Sequence, residues 1–108
     1  MSLQVVIAPL ALQQLREEAD WYREQSHSDE LASAWLDGFL ELLLSLQFDP
    51  DRHPLARESR RFPVEVREVH YGSGRKKTHR ALFQIQGAEV HVLTVRHIAQ
   101  ADVVPESL

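Results

Sequence analysis

The sequence predicts an α+β domain in the order β-α-α-β-β-β, with an N-terminal strand, an antiparallel helical hairpin and a three-stranded antiparallel meander forming one sheet. Three observations predict this fold. Helical periodicity fills residues 9–47, strand-like patterning fills residues 64–97, and a short β-branched run precedes both. At 108 residues the chain suits one domain, so residues 1–108 are assigned to a single unit.

The N-terminal residues predict a strand followed directly by a helix. Residues 3–8 are mainly apolar and rich in β-branched side chains. Pro9 ends this strand and suits the first turn of a helix that runs to about Gln25. Four residues at helical spacing form its apolar stripe: Leu12, Leu15, Ala19 and Tyr22. Ala8 precedes Pro9, so we expect a weak N-terminal cap.

A second helix is predicted from about Asp29 to Gln47. Residues 26–29 interrupt the first apolar pattern and supply capping side chains, and Pro50 prevents the helix from continuing. The helix has a wide apolar face: Leu31, Ala32, Trp35, Phe39, Leu42, Leu43 and Leu46. Two helices with a short link predict an antiparallel hairpin. The hairpin is long enough for a crossover, which allows the first strand to pair in parallel.

A polar connector and a further strand follow the helices. Residues 51–62 are mainly polar, and residues 64–71 are strand-like. The alternation of this strand slips near Arg67 and Glu68, which predicts a β-bulge there. Residues 72–77 (GSGRKK) predict a flexible basic loop.

The last two strands are predicted to form a β-hairpin around Gly87 and Ala88. Glycine at the first central position favours a two-residue type II′ turn. The second arm, residues 89–97, is apolar and β-branched. The first arm alternates, as expected of a half-buried strand. One face carries Ala81, Phe83 and Ile85, and the other carries Arg80, Leu82, Gln84 and Gln86.

Composition indicates an ordinary globular protein, with 44% hydrophobic and 26% charged residues. There is no cysteine, so neither a disulfide framework nor a thiolate metal site is expected. The sequence shows no signal peptide and no run long enough to span a membrane. These features predict a cytoplasmic protein with no membrane association.

The net charge of −4 is unevenly distributed. Residues 1–50 carry nine acidic and two basic residues, a net charge of −7. Residues 51–108 carry seven acidic and ten basic residues, a net charge of +3. A mildly basic sheet can meet an anionic partner. A solvated charged surface explains the same pattern equally well.

Two short motifs in the second half resemble a known family. His79-Arg80-Ala81-Leu82-Phe83 and Val95-Arg96-His97, after a helical hairpin striped with leucine and alanine, resemble the RelE/ParE superfamily of bacterial toxins. The resemblance covers nearly the whole chain. It implies a toxin of a type II toxin–antitoxin system, bound by an antitoxin that wraps an extended segment around it. A homodimer and a heterotetramer with the antitoxin both remain open.

The superfamily has two branches with different activities. One branch, similar to RelE, cuts messenger RNA in the ribosomal A site. The other, similar to ParE and to plasmid stabilisation toxins, poisons DNA gyrase and has no established catalytic residues. Val95-Arg96-His97 at the end of the last strand is more similar to the ParE branch. A ParE-like toxin that inhibits gyrase by binding is therefore the favoured prediction.

The alternative is a ribosome-dependent messenger RNA endoribonuclease. The resemblance then implies that Arg80, and also Arg96, lie near the scissile phosphate, since arginine binds phosphate bidentately. His97 would move a proton. Related enzymes place an aromatic residue or a histidine in the C-terminal tail, and residues 101–108 offer neither. The negative net charge also disfavours binding to RNA. Arg80 can equally pair with a carboxylate, and His97 can be structural.

Basic and histidine residues in the second half of the chain suggest two further kinds of binding site. The loop residues Arg75, Lys76 and Lys77 are candidates for contact with nucleic acid or an acidic partner, although a solvated loop is as plausible. Four histidines lie on or beside the strands without tight ligand spacing: His70, His79, His91 and His97. No metal and no cofactor is therefore predicted.

A third hypothesis is an inert interaction module of the same fold. A toxin, in contrast, is predicted to expose an apolar groove on the helical hairpin or at a sheet edge, where the antitoxin docks.

Overall fold

A four-stranded sheet and two helices make up the fold. The computed structural model describes residues 2–72 and 74–108. The elements in chain order are β1 (Gln4–Ile7), α1 (Pro9–Ser26), α2 (Asp29–Leu44), β2 (Arg67–Tyr71), β3 (His79–Gln86) and β4 (Glu89–His97). Within the described residues, neither helix combines the length and apolar character that a membrane crossing needs.

The strands lie in the order β1-β4-β3-β2. β2, β3 and β4 form an antiparallel meander, and β1 pairs in parallel with β4, from Gln4 beside Glu89 to Ile7 beside Val92. The two helices provide the long connection that parallel pairing of β1 requires. The predicted α+β fold and its element order are confirmed.

α1 begins without a side-chain cap, as predicted from Ala8 and Pro9. It ends at Ser26, because the next residue, His27, has a φ of 54° in the left-handed region, which stops the helix. Its buried residues are Ala11, Leu15 and Ala19. The predicted stripe is thus confirmed at Leu15 and Ala19, whereas Leu12 is only half-buried.

α2 begins at a capped terminus, because the Ser28 hydroxyl accepts a hydrogen bond of 3.1 Å from the Leu31 backbone N–H. The helix ends at Leu44, and a 3₁₀ turn continues to Gln47. The buried face is narrower than predicted and comprises Ala32, Trp35, Phe39, Leu43 and Leu46. Leu31 was predicted on this face, but it is 51% exposed because it lies at the edge of the stripe, about 100° around the helix from Ala32.

The β3–β4 turn matches its prediction. Gly87 has a φ of +62°, and Ala88 has no positive φ, the combination expected of a type II′ turn. A register shift follows in this hairpin, where Leu82 lies beside Thr94 and Phe83 beside Val92, so Leu93 is the extra residue of a bulge.

The bulge predicted near Arg67 and Glu68 is wrong. β2 begins at Arg67 and pairs with β3 without interruption. The preceding residue leaves the ladder, since the Val66 backbone N–H donates to the Ser59 hydroxyl at 2.9 Å and its carbonyl accepts from Ala56 at 2.8 Å. The apparent slip in alternation therefore marks where the strand begins.

The prediction of a half-buried β3 is also wrong, because both faces of this strand are covered. Every residue from His79 to Gln84 is buried. The helices cover one face. The connector and the C-terminal residues cover the other, where a second apolar cluster contains Ala56, Val66, Leu82 and Val103. The connector, which is mainly polar, and the C-terminal tail, which has no periodic apolar pattern, thus both contribute to the core.

Gly38 on α2 provides a test of how tightly the hairpin packs on the sheet. A Cβ atom at this position would lie 2.3 Å from the Tyr71 hydroxyl oxygen. That hydroxyl donates to the Trp35 carbonyl at 2.9 Å, and the Tyr71 ring stacks on Phe39 at 4.5 Å, so it cannot easily move away.

We therefore expect Gly38→Ala to destabilise the protein by about 1–3 kcal/mol, the usual cost of overpacking, despite the better helix propensity of alanine. Urea unfolding followed by circular dichroism measures this change. Ser33→Ala, at an exposed position of the same helix, serves as the control. Equal or greater stability of Gly38→Ala would contradict the tight contact.

Candidate functional site

The three residues predicted for RNA cleavage lie on two faces of the sheet. Arg80 and Arg96 are opposite each other in the β3–β4 ladder and point away from the helices. His97 lies on the helical face, where its ring centroid is 5.2 Å from that of His79. The structure brings the two arginines together and separates both from the histidine.

Arg80 is buried in a network of carboxylates and is 1% exposed. Its Nη1 donates to Glu58 Oε1 at 3.0 Å and to Glu68 Oε2 at 2.8 Å, and its Nη2 donates to Glu58 Oε2. These bonds to Glu58 raise the pKa of Arg80 against the opposing effect of burial. The guanidinium is therefore a permanent cation whose charge is already balanced.

Glu58 completes the network from the connector, and its side chain is fully buried. Its Oε2 also accepts a hydrogen bond of 3.0 Å from the Val103 backbone N–H. Burial alone would raise the pKa of Glu58, but the hydrogen bonds from Arg80 and Val103 outweigh it and lower the pKa to about 2. The pair of buried charges is thus hydrogen-bonded on several sides.

This network predicts a specific loss of stability in acid. The pKa of Glu58 is about 4.5 in the unfolded chain and about 2 in the fold, so the unfolded chain binds the proton more tightly. The contribution of Glu58 is therefore present above pH 4.5 and is lost as the pH falls toward 2. Urea unfolding between pH 2 and 6 should show a shallower dependence in Glu58→Gln than in the wild type. Identical slopes would contradict the assignment.

Arg96 and the basic loop are placed differently from Arg80. Arg96 Nη1 donates to the Ala101 carbonyl at 2.8 Å, which ties the C-terminal tail to β4. Residues 75–77 are exposed, and the predicted loop includes Ser73, which lies outside the described residues. A hydrogen bond of 2.9 Å from the Ile98 N–H to the Thr78 carbonyl places this loop and the end of β4 at the same end of the sheet.

A pocket of about 410 Å³ opens at this end, between the two helices and the ends of β3 and β4. It is mainly aromatic, and its lining comprises Glu18, Trp21, Tyr22, Trp35, Thr78, His79 and His97. Trp35 is 4% exposed and belongs to the core, whereas Trp21 is 57% exposed and stands at the rim. The pocket is therefore an exposed and mainly apolar feature beside the helical hairpin.

A hydrogen-bonded histidine holds one wall of this pocket. His79 Nε2 lies 3.2 Å from Glu18 Oε2, and His79 Nδ1 lies 2.8 Å from the Thr78 hydroxyl oxygen. Burial lowers the pKa of His79, and the bond to Glu18 offsets this only partly. The neutral ring therefore donates through Nε2 to Glu18 and accepts from Thr78.

The histidines do not assemble a metal site. Across residues 2–72 and 74–108, no three His, Asp or Glu side chains are grouped so as to hold a metal ion. His79 and His97 meet in the pocket, whereas His70 and His91 bond to Glu68 and Glu89.

Sequence reasoning missed Glu58, Glu18 and Trp21. Glu58 stands among arginines in the connector, and a buried arginine needs a carboxylate, yet nothing local relates Glu58 to Arg80, which lies 22 residues later. Trp21 lies off the apolar stripe of α1, and a tryptophan at such a position was the available signal for a contact surface.

Comparison with known families agrees with this architecture. The sequence model of the family described as "ParE toxin of type II toxin-antitoxin system, parDE" matches residues 5–101. The chain belongs to the ParE toxin family. The predicted resemblance to the RelE/ParE superfamily and the assignment to a type II toxin of the ParE class are thus confirmed. The match spans all six helices and strands except the first residue of β1.

A solved structure described as a chromosomal ParDE toxin–antitoxin system from P. aeruginosa is similar to this ParE-family toxin in fold. The TM-score is 0.70 at 20% sequence identity, and the alignment covers 90% of this chain and 97% of the other. A search of curated protein sequences gives no match. Val103, which bonds to Glu58, lies beyond the matched residues.

Proposed function

We propose that this ParE-family toxin inhibits DNA gyrase by binding it, with no catalytic step of its own, and that an antitoxin protein neutralises it. Membership of the family supports the target. The observation that carries the mechanism is the buried ion pair of Arg80 with Glu58 and Glu68. Arg80 is the arginine that best matches a phosphate-binding residue, and it is already paired with two carboxylates inside the protein.

RNA cleavage would require this ion pair to open. A cation must lie at the scissile phosphate to stabilise the charge that develops there. Turning Arg80 outward would leave Glu58 buried without its partner, which costs about 3–5 kcal/mol. His97 on the opposite face would remain separated from both arginines. These features favour binding over the ribonuclease alternative.

Docking of the antitoxin is supported by apolar side chains exposed around the hairpin. Trp21, Leu31, Leu44 and Phe48 are each 51–58% exposed. Large apolar side chains exposed in this way mark protein contacts when they form a patch. We expect the antitoxin to cover part of this surface. A heterotetramer of toxin and antitoxin stays a prediction.

A reconstituted assay tests the target. Purified toxin is added to gyrase, relaxed plasmid and ATP, and in parallel to a translation extract in which messenger RNA integrity is followed. We expect loss of supercoiling or accumulation of cleaved plasmid, with intact messenger RNA. His97→Gln should retain this effect, because the proposal assigns it no proton transfer. Unimpaired gyrase together with cleaved messenger RNA would overturn the proposal, and so would inactivity in both assays.

A further inference from the structure

We propose that the aromatic pocket beside Glu18 binds an arginine side chain presented by a partner protein. The proposal rests on the lining of the pocket and its charge, and it holds whether or not gyrase is the target.

The walls of the pocket suit a flat cation. Tyr22 and Trp35 lie nearly parallel, with an interplanar angle of 18° and ring centroids 6.4 Å apart, and Trp21 is exposed at the rim. His79 meets the Trp35 ring edge to face at 5.2 Å. A guanidinium is planar, is weakly hydrated for a cation, and stacks on aromatic faces. Tryptophan is the aromatic residue that attracts a cation most strongly.

The carboxylate of Glu18 supplies the matching charge. The Glu18 side chain is about one-third exposed. Of its two carboxylate oxygens, Oε2 bonds to His79 and Oε1 does not. Because His79 is neutral, this bond does not cancel the negative charge. Oε1 can therefore accept from an incoming guanidinium while His79 holds the carboxylate in place.

The surrounding charge favours a cation over a phosphate-bearing ligand. None of the described residues that line the pocket is a lysine or an arginine. The helical half that forms most of the pocket has a net charge of −7. Arg23 of α1 is already counted in that charge, and it is paired with Asp20 and Asp29. The exposed basic residues Arg75, Lys76 and Lys77 lie at the same end of the sheet but do not line the pocket. A nucleotide that stacked on the rings would bring its phosphate close to the Glu18 carboxylate.

The volume of about 410 Å³ exceeds what one side chain fills, so adjoining backbone of the partner can also enter. The exposed Trp21 would then be covered, as expected of a tryptophan anchor at the centre of an interface. An arginine on an extended segment would match both the volume of the pocket and the charge of Glu18.

The test is a titration of the purified full-length toxin with N-acetyl-arginine amide, followed by the indole N–H signals in NMR spectra. The chain has two tryptophans, and both line the pocket, so both indole signals report on it. N-acetyl-citrulline amide, which has the same shape without the charge, is the control ligand. Adenosine monophosphate tests a stacking nucleotide.

We expect saturable shifts of both indole signals with the arginine probe and weaker binding, by roughly five-fold, in Glu18→Gln and in Trp21→Ala. Glu17→Gln, at an exposed position next along the same helix, should bind as the wild type does. Two-dimensional spectra of each variant confirm that it is folded. Equal binding of citrulline amide, preference for the nucleotide, no effect of Glu18→Gln, or no binding would each overturn the proposal.

Discussion

Glu58→Gln is expected to destabilise the protein by about 3 kcal/mol, which corresponds to a fall in Tm of roughly 15 °C. The substitution keeps the shape of the side chain but removes the charge that balances the buried Arg80. Glu68 is then the one carboxylate left to balance the guanidinium, through one contact of 2.8 Å. Thermal and urea unfolding followed by circular dichroism measure the loss.

Two comparisons make this prediction specific. Glu65→Gln, whose side chain is 71% exposed in the same segment, should change stability by less than about 0.5 kcal/mol. The double variant Glu58→Gln/Arg80→Met should be more stable than Glu58→Gln, because it also removes a buried cation that has lost the closer of its two carboxylate partners. A change below about 1 kcal/mol in Glu58→Gln would show that the ion pair does not hold the fold together.

Deletion of residues 101–108 is expected to cost about 3 kcal/mol or more. It removes the fully buried Val103 side chain, a loss of about 1.5–3 kcal/mol. It also removes the Val103 N–H that donates to Glu58, and a hydrogen bond to a charged group contributes about 1.5–3 kcal/mol. The exposed pair of Arg57 and Asp102 adds little. Chemical denaturation of the shortened chain measures the sum.

Point substitutions distinguish the contribution of the buried Val103 side chain from that of the exposed residues of the tail. Val103→Ala should lose about 1–2.5 kcal/mol through the cavity it creates. Val104→Ala, at a neighbouring position that is 41% exposed, should be close to neutral. Unchanged stability after deletion would mean that the tail is not part of the folded core. It would also mean that exposing the Glu58–Arg80 ion pair to solvent does not lower the free energy of unfolding.

The parts of the fold that local patterns encode were predicted well. The stripe through Leu15 and Ala19, the cap at Ser28 and the turn at Gly87 each follow from residues close together in the sequence. The parallel pairing of β1 was one that the length of the crossover allowed. Each of these inferences uses a spacing of a few residues or a general rule of chain connection.

The covering of the second sheet face depended on distant residues. Glu58 contacts Arg80 and Val103 across 22 and 45 residues, and no period or motif in the sequence encodes either distance. The pocket was missed for the same reason, since His79 and Glu18 are 61 residues apart. Two of the predicted ribonuclease residues, Arg96 and His97, are consecutive in β4. Because successive strand residues point to opposite faces, these two side chains lie on opposite faces of the sheet.

Brief induced expression in bacteria, with transcript ends mapped and DNA-damage signalling recorded in the same culture, tests the central claim most directly. The proposal of a binding toxin with a structural Arg80 predicts damage signalling while transcripts stay intact. His97→Gln should behave as the wild type does. New transcript ends in phase with codons, without damage signalling and lost in His97→Gln, would contradict it.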